Sequence, residues 1–220
     1  MLFVVCLPEA SYAGRERCPE ARVDVTAGSP DERSLACSAA NVALELLSRC
    51  KISPQRPVHV QIVDEVRHPF SGPIFGHFDT KQEKALVTQY ANIPSLVKDT
   101  PYGEFPQRDF YKSVIVHEVV HGVMHQNLKR PAMSHAAYEY PAYALQIESL
   151  PSNVRDKFLE TINNRAGRGA ILFNDYLLFF DPFFFAARAY EHFKASANGC
   201  AYLHGLLEGE VAFIPTLPLL

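Results

Sequence analysis

Between Ser113 and Asn127 the chain reads SVIVHEVVHGVMHQN, in which His117, His121 and His125 recur at every fourth residue and Glu118 stands beside the first of them. Residues four apart on an α-helix differ by about 40° in direction, so the imidazoles of His117 and His121 project from one face. Val114, Ile115, Val116, Val119, Val120, Val123 and Met124 surround them almost all round, which marks a central, buried helix. Two imidazoles and a carboxylate side by side in such a helix are costly unless something satisfies them. A metal ion does so, with His117 and His121 as ligands and Glu118 placed to take a proton from water. The competing reading has hydrogen-bonded core histidines, with Glu118 paired to a base such as Arg130. It accounts less well for the three groups together. His125, rotated a further ~40° and two turns from His117, is expected to be solvated near the helix end.

The rest of the chain is unevenly organised around this helix. Up to about Tyr90 it reads as strands with one helix. ARVDVTA (Ala21 to Ala27) and PVHVQIVDEV (Pro57 to Val66) alternate as strands, IFGHFDTKQEKALVTQY (Ile74 to Tyr90) turns back on itself as a hairpin, and the helix runs from a cap at Ser29 or Asp31 to about Cys50. From Pro106 onward it reads almost wholly as helix, after a short helical segment at Ile93 to Val97. This is an α+β pattern: a small N-terminal sheet with one helix, then a helical half. The run from Tyr176 to Tyr190, broken by Asp181 and Pro182, is expected to be two buried segments with a capped helix start between them.

With 220 residues the chain fits one domain with a substantial core. Its 21 basic and 24 acidic side chains are mixed along the sequence, and the net charge of -3 gives no long-range attraction for nucleic acid or anionic lipid. No uncharged apolar run reaches the ~18 residues that would suggest a transmembrane helix. The first 13 residues, MLFVVCLPEASYA, look like the end of a secretory signal that lacks its basic leading region. Residues 1–13 are therefore expected to be a truncated signal segment, 14–220 the domain, and the protein exported, periplasmic or secreted. Loss of Cys6 with that segment leaves Cys18, Cys37, Cys50 and Cys200, an even count suited to two disulfides. Cys37 and Cys50 near the ends of one helix stand roughly 20 Å apart and cannot pair. The expected pairs are Cys18 with Cys50 and Cys37 with Cys200, on the view that the first strand returns Cys18 to the far end of the helix.

A third metal ligand has several candidates. Asn127 and Met124 stand where a metzincin would carry histidine and glycine, which disfavours that class. His135 is open, as is Glu139 on the following helix, with seventeen residues separating Glu139 from His121. Glu148 lies two turns further on and reads better as an exposed helix charge.

HEVVH followed by EYPAYALQ resembles the gluzincin branch of the zincin metallopeptidases, in which H-E-x-x-H on one helix is completed by a glutamate on the next. It is also similar to an uncharacterised group of exported bacterial zincin-like proteins, and the specific part of the resemblance is confined to residues 117–146. The resemblance implies a zincin-like fold with a small mixed sheet. It implies one zinc ion (Zn2+) held by His117, His121 and Glu139, Glu118 as general base, and hydrolysis of a peptide or protein substrate. Gluzincins with the best-known second helix have an aspartate four residues after the glutamate, holding a ligand histidine; this chain has Tyr143 there. Tyr190 and His192, in AARAYEHF, are candidate stabilisers of the oxyanion. Zincins bind substrate as a strand along the sheet edge, a place that the arm Gly72 to Thr80 is suited to supply. The second reading is an inactive zinc-binding module acting in protein interaction.

Overall fold

Short alternating segments near the N-terminus form strands β1 (Arg15–Arg17), β2 (Val23–Thr26), β3 (Val58–Val63), β4 (Val66–His68), β5 (Gly72–Ile74), β6 (Gly76–Asp79) and β7 (Lys84–Thr88). In β3 the period of two buries Val58, Val60 and Ile62 and leaves His59, Gln61 and Val63 half-buried. The computed structural model describes residues 14–19, 22–68, 72–129, 133–166, 173–195 and 199–213. Residues 1–13 with Cys6, and with them the signal expectation, lie outside the described residues, as do Arg130, Gly167, Gly169 and the tail from 214.

The main sheet is mixed, in the order β1-β2-β3-β7-β6. β2, β3 and β7 are parallel neighbours, while β1 and β6 are antiparallel edges. Among the described residues β4 and β5 pair with each other and not with the main sheet, so Val66 belongs to a separate ribbon rather than to the end of β3. Helix α1 (Pro30–Arg49) makes the crossover between the parallel strands β2 and β3. Ser29 caps it by accepting from the Glu32 amide at 3.2 Å, with Pro30 at the first helical position.

The helical half comprises α2 (Ile93–Val97), α3 (Gln107–Asn127), α4 (His135–Ser149), α5 (Ser152–Ala166), α6 (Asp175–Phe180), α7 (Pro182–Ala195) and α8 (Gly199–Glu208). α3 carries HEVVH, is buried from Phe110 to Met124 apart from Lys112, and packs against α1, α4 and strands β3, β6 and β7. Gly122 lets it lie close on the sheet, because a Cβ there would stand 2.8 Å from Val58 Cγ1. α4 in turn packs between α3 and α7. The buried apolar residues of sheet and helices form one core. Among the described residues no helix is long and apolar enough to cross a membrane.

The disulfides differ from expectation: they join Cys18 to Cys37 and Cys50 to Cys200. The difference comes from lengths. β2 has four residues, about 13 Å, whereas the twenty of α1 span about 30 Å. Cys18 donates its amide to Val23 at the start of β2, so the strand carries it only partway along α1, beside Cys37. Cys50, at the far end, meets Cys200 on α8 instead.

The aromatic run also departs from expectation. Asp181 does cap α7, accepting from the Phe184 amide at 2.9 Å, but of the first segment only Leu178 is buried, while Phe179 and Phe180 are 81% and 77% exposed.

Candidate metal centre

Two helices bring the ligands together, and their local sequence sets where each side chain points. Spacing of four on α3 stacks His117 over His121 on the face toward α4. Two side-chain caps hold the start of α4: Ser134 Oγ accepts from the Ala137 amide at 3.2 Å, and Asp175 Oδ1 accepts from the Ala136 amide at 2.7 Å. One turn later Glu139 reaches across. Its Oε2 lies 3.2 Å from His117 Nε2 and its Oε1 lies 3.3 Å from His121 Nε2. The two Nε2 atoms are 3.0 Å apart.

These three groups can hold a metal ion. Donors of a tetrahedral ion with bonds of about 2.0–2.1 Å stand about 3.3 Å from one another, within a few tenths of an ångström of the separations here. The surroundings also favour such an occupant. Glu118 and His121 are buried, and among the described residues neither Glu118 Oε2 nor His121 Nδ1 has a hydrogen-bond partner. Two nitrogens and a carboxylate converging in a buried place are a set of lone pairs that a cation satisfies.

The electrostatics follow from burial and from Glu139. Burial acts to raise the Glu139 carboxyl, yet His121, and hydrogen bonds from His117, His121 and His135, hold it well below the usual carboxylate range. Burial lowers His121. His117 is also penalised by burial, but Glu139 and Glu118 outweigh this and raise it. Burial pushes Glu118 up to about 8.

Further contacts surround the cluster. Tyr138 stacks on His121 with ring centroids 4.5 Å apart, and Tyr143 meets His117 edge-on at 4.6 Å, so the two tyrosines hold the imidazoles from either side. Gln146 stands where its Oε1 is 2.9 Å from His117 Nδ1. Its Nε2 is 3.3 Å from Ser113 Oγ, which is 2.7 Å from the Phe110 carbonyl. A sequence signal for Gln146 existed: seven residues after Glu139 is two helical turns, on the same face. Gly76 on β6 adds another. A Cβ there would fall 2.6 Å from Glu118 Oε1, so the edge strand lies directly over this carboxylate.

The cluster opens into a cleft of about 470 Å³ whose lining includes His77 on β6, Lys81 just after it, and His121, His135, Tyr138 and Glu139. β6, within the arm Gly72 to Thr80, is thus both a sheet edge and one wall of the cleft. His135 sits on the rim, 71% exposed, with Nε2 3.5 Å from Glu139 Oε1. His125 is half-buried rather than solvated, because Phe78 packs on its ring at 5.6 Å. Glu148 is not an exposed charge either: it lies 3.1 Å from Lys194 and 3.7 Å from Arg155 in a partly buried network.

Tyr190 and His192 are not brought to the cluster. Tyr190 lies under Arg155, and His192 Nδ1 bonds the hydroxyl of Tyr140 at 2.7 Å. Tyr140 follows Glu139 directly and so points about 100° away from it around α4. What α7 offers the site is Phe185, packed on Tyr143 at 5.9 Å.

Residues 23–216 match the family described as "Family of unknown function (DUF6639)". The chain belongs to this family. The span matched to DUF6639 takes in the whole sheet except β1, and both helices of the metal centre. No curated protein and no solved structure matches this DUF6639 chain.

Proposed function

We propose that the protein is a zinc-dependent metallopeptidase of gluzincin type, acting in an exported, oxidising setting. The observation that carries this reading is the convergence of His117 Nε2, His121 Nε2 and the Glu139 carboxylate, with the buried Glu118 beside them. Two imidazoles and one carboxylate are the donor set of catalytic zinc sites that leave a coordination position open. Zinc held there supplies Lewis acidity, polarising a substrate carbonyl and making water more acidic.

The chain's own residues do the rest. With a cation beside it offsetting the burial that otherwise keeps it protonated, Glu118 Oε2, free of other partners among the described residues, takes the proton of the attacking water and passes it to the leaving nitrogen. β6, an edge strand among the described residues, offers its outer backbone edge to an extended peptide lying along the cleft. Tyr138 and Tyr143 restrict the imidazoles to the orientation in which both Nε2 atoms face Glu139. The two disulfides suit a compartment in which thiols are oxidised.

Metal analysis of the purified protein, together with Glu118→Gln, tests the reading. One zinc per chain with peptide hydrolysis, and loss of hydrolysis in Glu118→Gln with zinc retained, is the expected result. Zinc bound without hydrolysis of any peptide in a library would replace the peptidase by a zinc-binding module. Failure to bind any metal would end both.

A further inference from the structure

We propose that Gln146 is the positioning residue of the metal centre. A chain of hydrogen bonds anchored on the Phe110 carbonyl sets the direction of its amide, and this keeps the ring proton of His117 on Nδ1 and leaves Nε2 to face Glu139. The proposal rests on the metal-binding reading of His117, His121 and Glu139.

The direction follows from which atoms are able to donate. The Phe110 carbonyl accepts only, so Ser113, 2.7 Å away, commits its one hydroxyl hydrogen there. Ser113 Oγ then has only lone pairs to offer, and the Gln146 atom 3.3 Å from it must be the amide NH2. This turns the Gln146 oxygen toward His117 Nδ1, at 2.9 Å. That oxygen also accepts only, so Nδ1 carries a hydrogen. The other ring nitrogen, Nε2, is the one 3.2 Å from Glu139 and 3.0 Å from His121. Shape alone does not distinguish the two ends of a glutamine amide, and here the backbone carbonyl of Phe110 makes the distinction.

The arrangement also accounts for Tyr143, which stands where the gluzincin pattern has an aspartate. Tyr143 touches His117 with its ring edge, and the hydrogen-bond acceptor comes one turn later, from Gln146. That acceptor is uncharged. Glu118 and Glu139 already place two carboxyl groups in this pocket, and a third would add to their mutual repulsion. Gln146 is 4% exposed, so deleting its oxygen leaves a buried N–H on His117 without a partner. The ring then gains by turning or by moving its hydrogen to Nε2, and either change removes the lone pair from the cluster.

Three variants of the full chain test this: Gln146→Met, which keeps the shape but has no amide acceptor; Gln146→Glu, which keeps an acceptor; and Ser113→Ala, which removes the anchor. Two quantities are read, the zinc dissociation constant by chelator competition and the exchange protection of the His117 Nδ1–H proton by NMR. Gln146→Met is expected to weaken zinc binding by about 10- to 100-fold and to lose the protected proton. Gln146→Glu keeps an acceptor but adds a third carboxyl group, so it is expected to keep the protected proton and to bind zinc more tightly than Gln146→Met but less tightly than the unaltered protein, a separation that a residue merely filling space would not give; Ser113→Ala is expected to fall between Gln146→Met and the unaltered protein. An unchanged zinc constant or unchanged protection in Gln146→Met overturns the proposal. If Gln146→Met does not fold, Ser113→Ala decides on the same two measurements. If the unaltered protein binds no zinc, the metal-centre reading fails. The protected Nδ1–H of the metal-free protein then decides the orientation alone, upheld if lost in Gln146→Met and refuted if retained.

Discussion

Gly76 has no side chain because Glu118 occupies the space, and alanine there would push against the carboxyl that is assigned the proton transfer. Gly76→Ala is therefore expected to lower kcat by about 10- to 100-fold, the range that a displacement of roughly 1 Å at a reacting group produces. Zinc content should stay at one per chain, since the ligands are untouched. Equal kcat in the variant would show that Glu118 does not act from this position. The second residue-scale prediction concerns protons. Zinc needs the Nε2 lone pair of His117, and Glu139 and Glu118 raise that ring above its ordinary 6.5. Affinity is accordingly full above the raised value and falls as pH drops through it, beginning at a higher pH than for an ordinary histidine. Chelator competition between pH 8 and pH 5 measures this, and a profile that stays flat until below 6 contradicts it. His117, Glu118 and His121 were legible in the sequence because four-residue spacing in an apolar helix is a local signal. Gly76 was not, because its role exists only once a strand is packed against α3, and Gln146 was legible only as a residue on the face of Glu139, its partner His117 being fixed by the packing of α4 on α3.

Helix α4 does more than supply Glu139: it delivers ligand and positioning residue from one face, and its start is held by Ser134 and Asp175. Loss of one cap costs about 1 kcal/mol. Ser134→Ala should therefore lower unfolding stability by about that amount in denaturant titrations and weaken zinc binding at the same time. A variant equally destabilised at Ser29 should leave zinc binding intact, which separates the role of α4 from general stability. The limits of α3 and α4 were readable because Pro106, Ser134 and Pro151 punctuate them. β1 was not, since Arg15, Glu16 and Arg17 carry no apolar alternation and form a charged, exposed edge held to Asp24 by Arg15 and Arg17. The α6 aromatics were misread for the opposite reason: Phe179 and Phe180 are apolar by composition, but no neighbouring element covers them among the described residues.

In the whole molecule the two disulfides differ most in the length of chain they close, 19 residues for Cys18–Cys37 and 150 for Cys50–Cys200. Restriction of the unfolded chain gives about 3 kcal/mol for the first and about 5 for the second in the loop-entropy treatment. Replacing Cys50 and Cys200 by alanine should thus lower the unfolding midpoint more than replacing Cys18 and Cys37. The reverse order would show that native packing around the bridges outweighs loop closure. Which cysteines pair was beyond the sequence because it depends on how far a four-residue strand reaches along a twenty-residue helix. The Cys50–Cys200 bridge has another effect. Gly76, Ser113, His117, Glu118, His121, Glu139 and Gln146 all fall between its two ends, so the whole centre belongs to a covalent ring. A single backbone cut anywhere in that ring leaves one connected molecule, and releasing a fragment takes a second cut or a reduction. A chain exposed to peptidases keeps His117, His121 and Glu139 tethered to one another after the first cleavage.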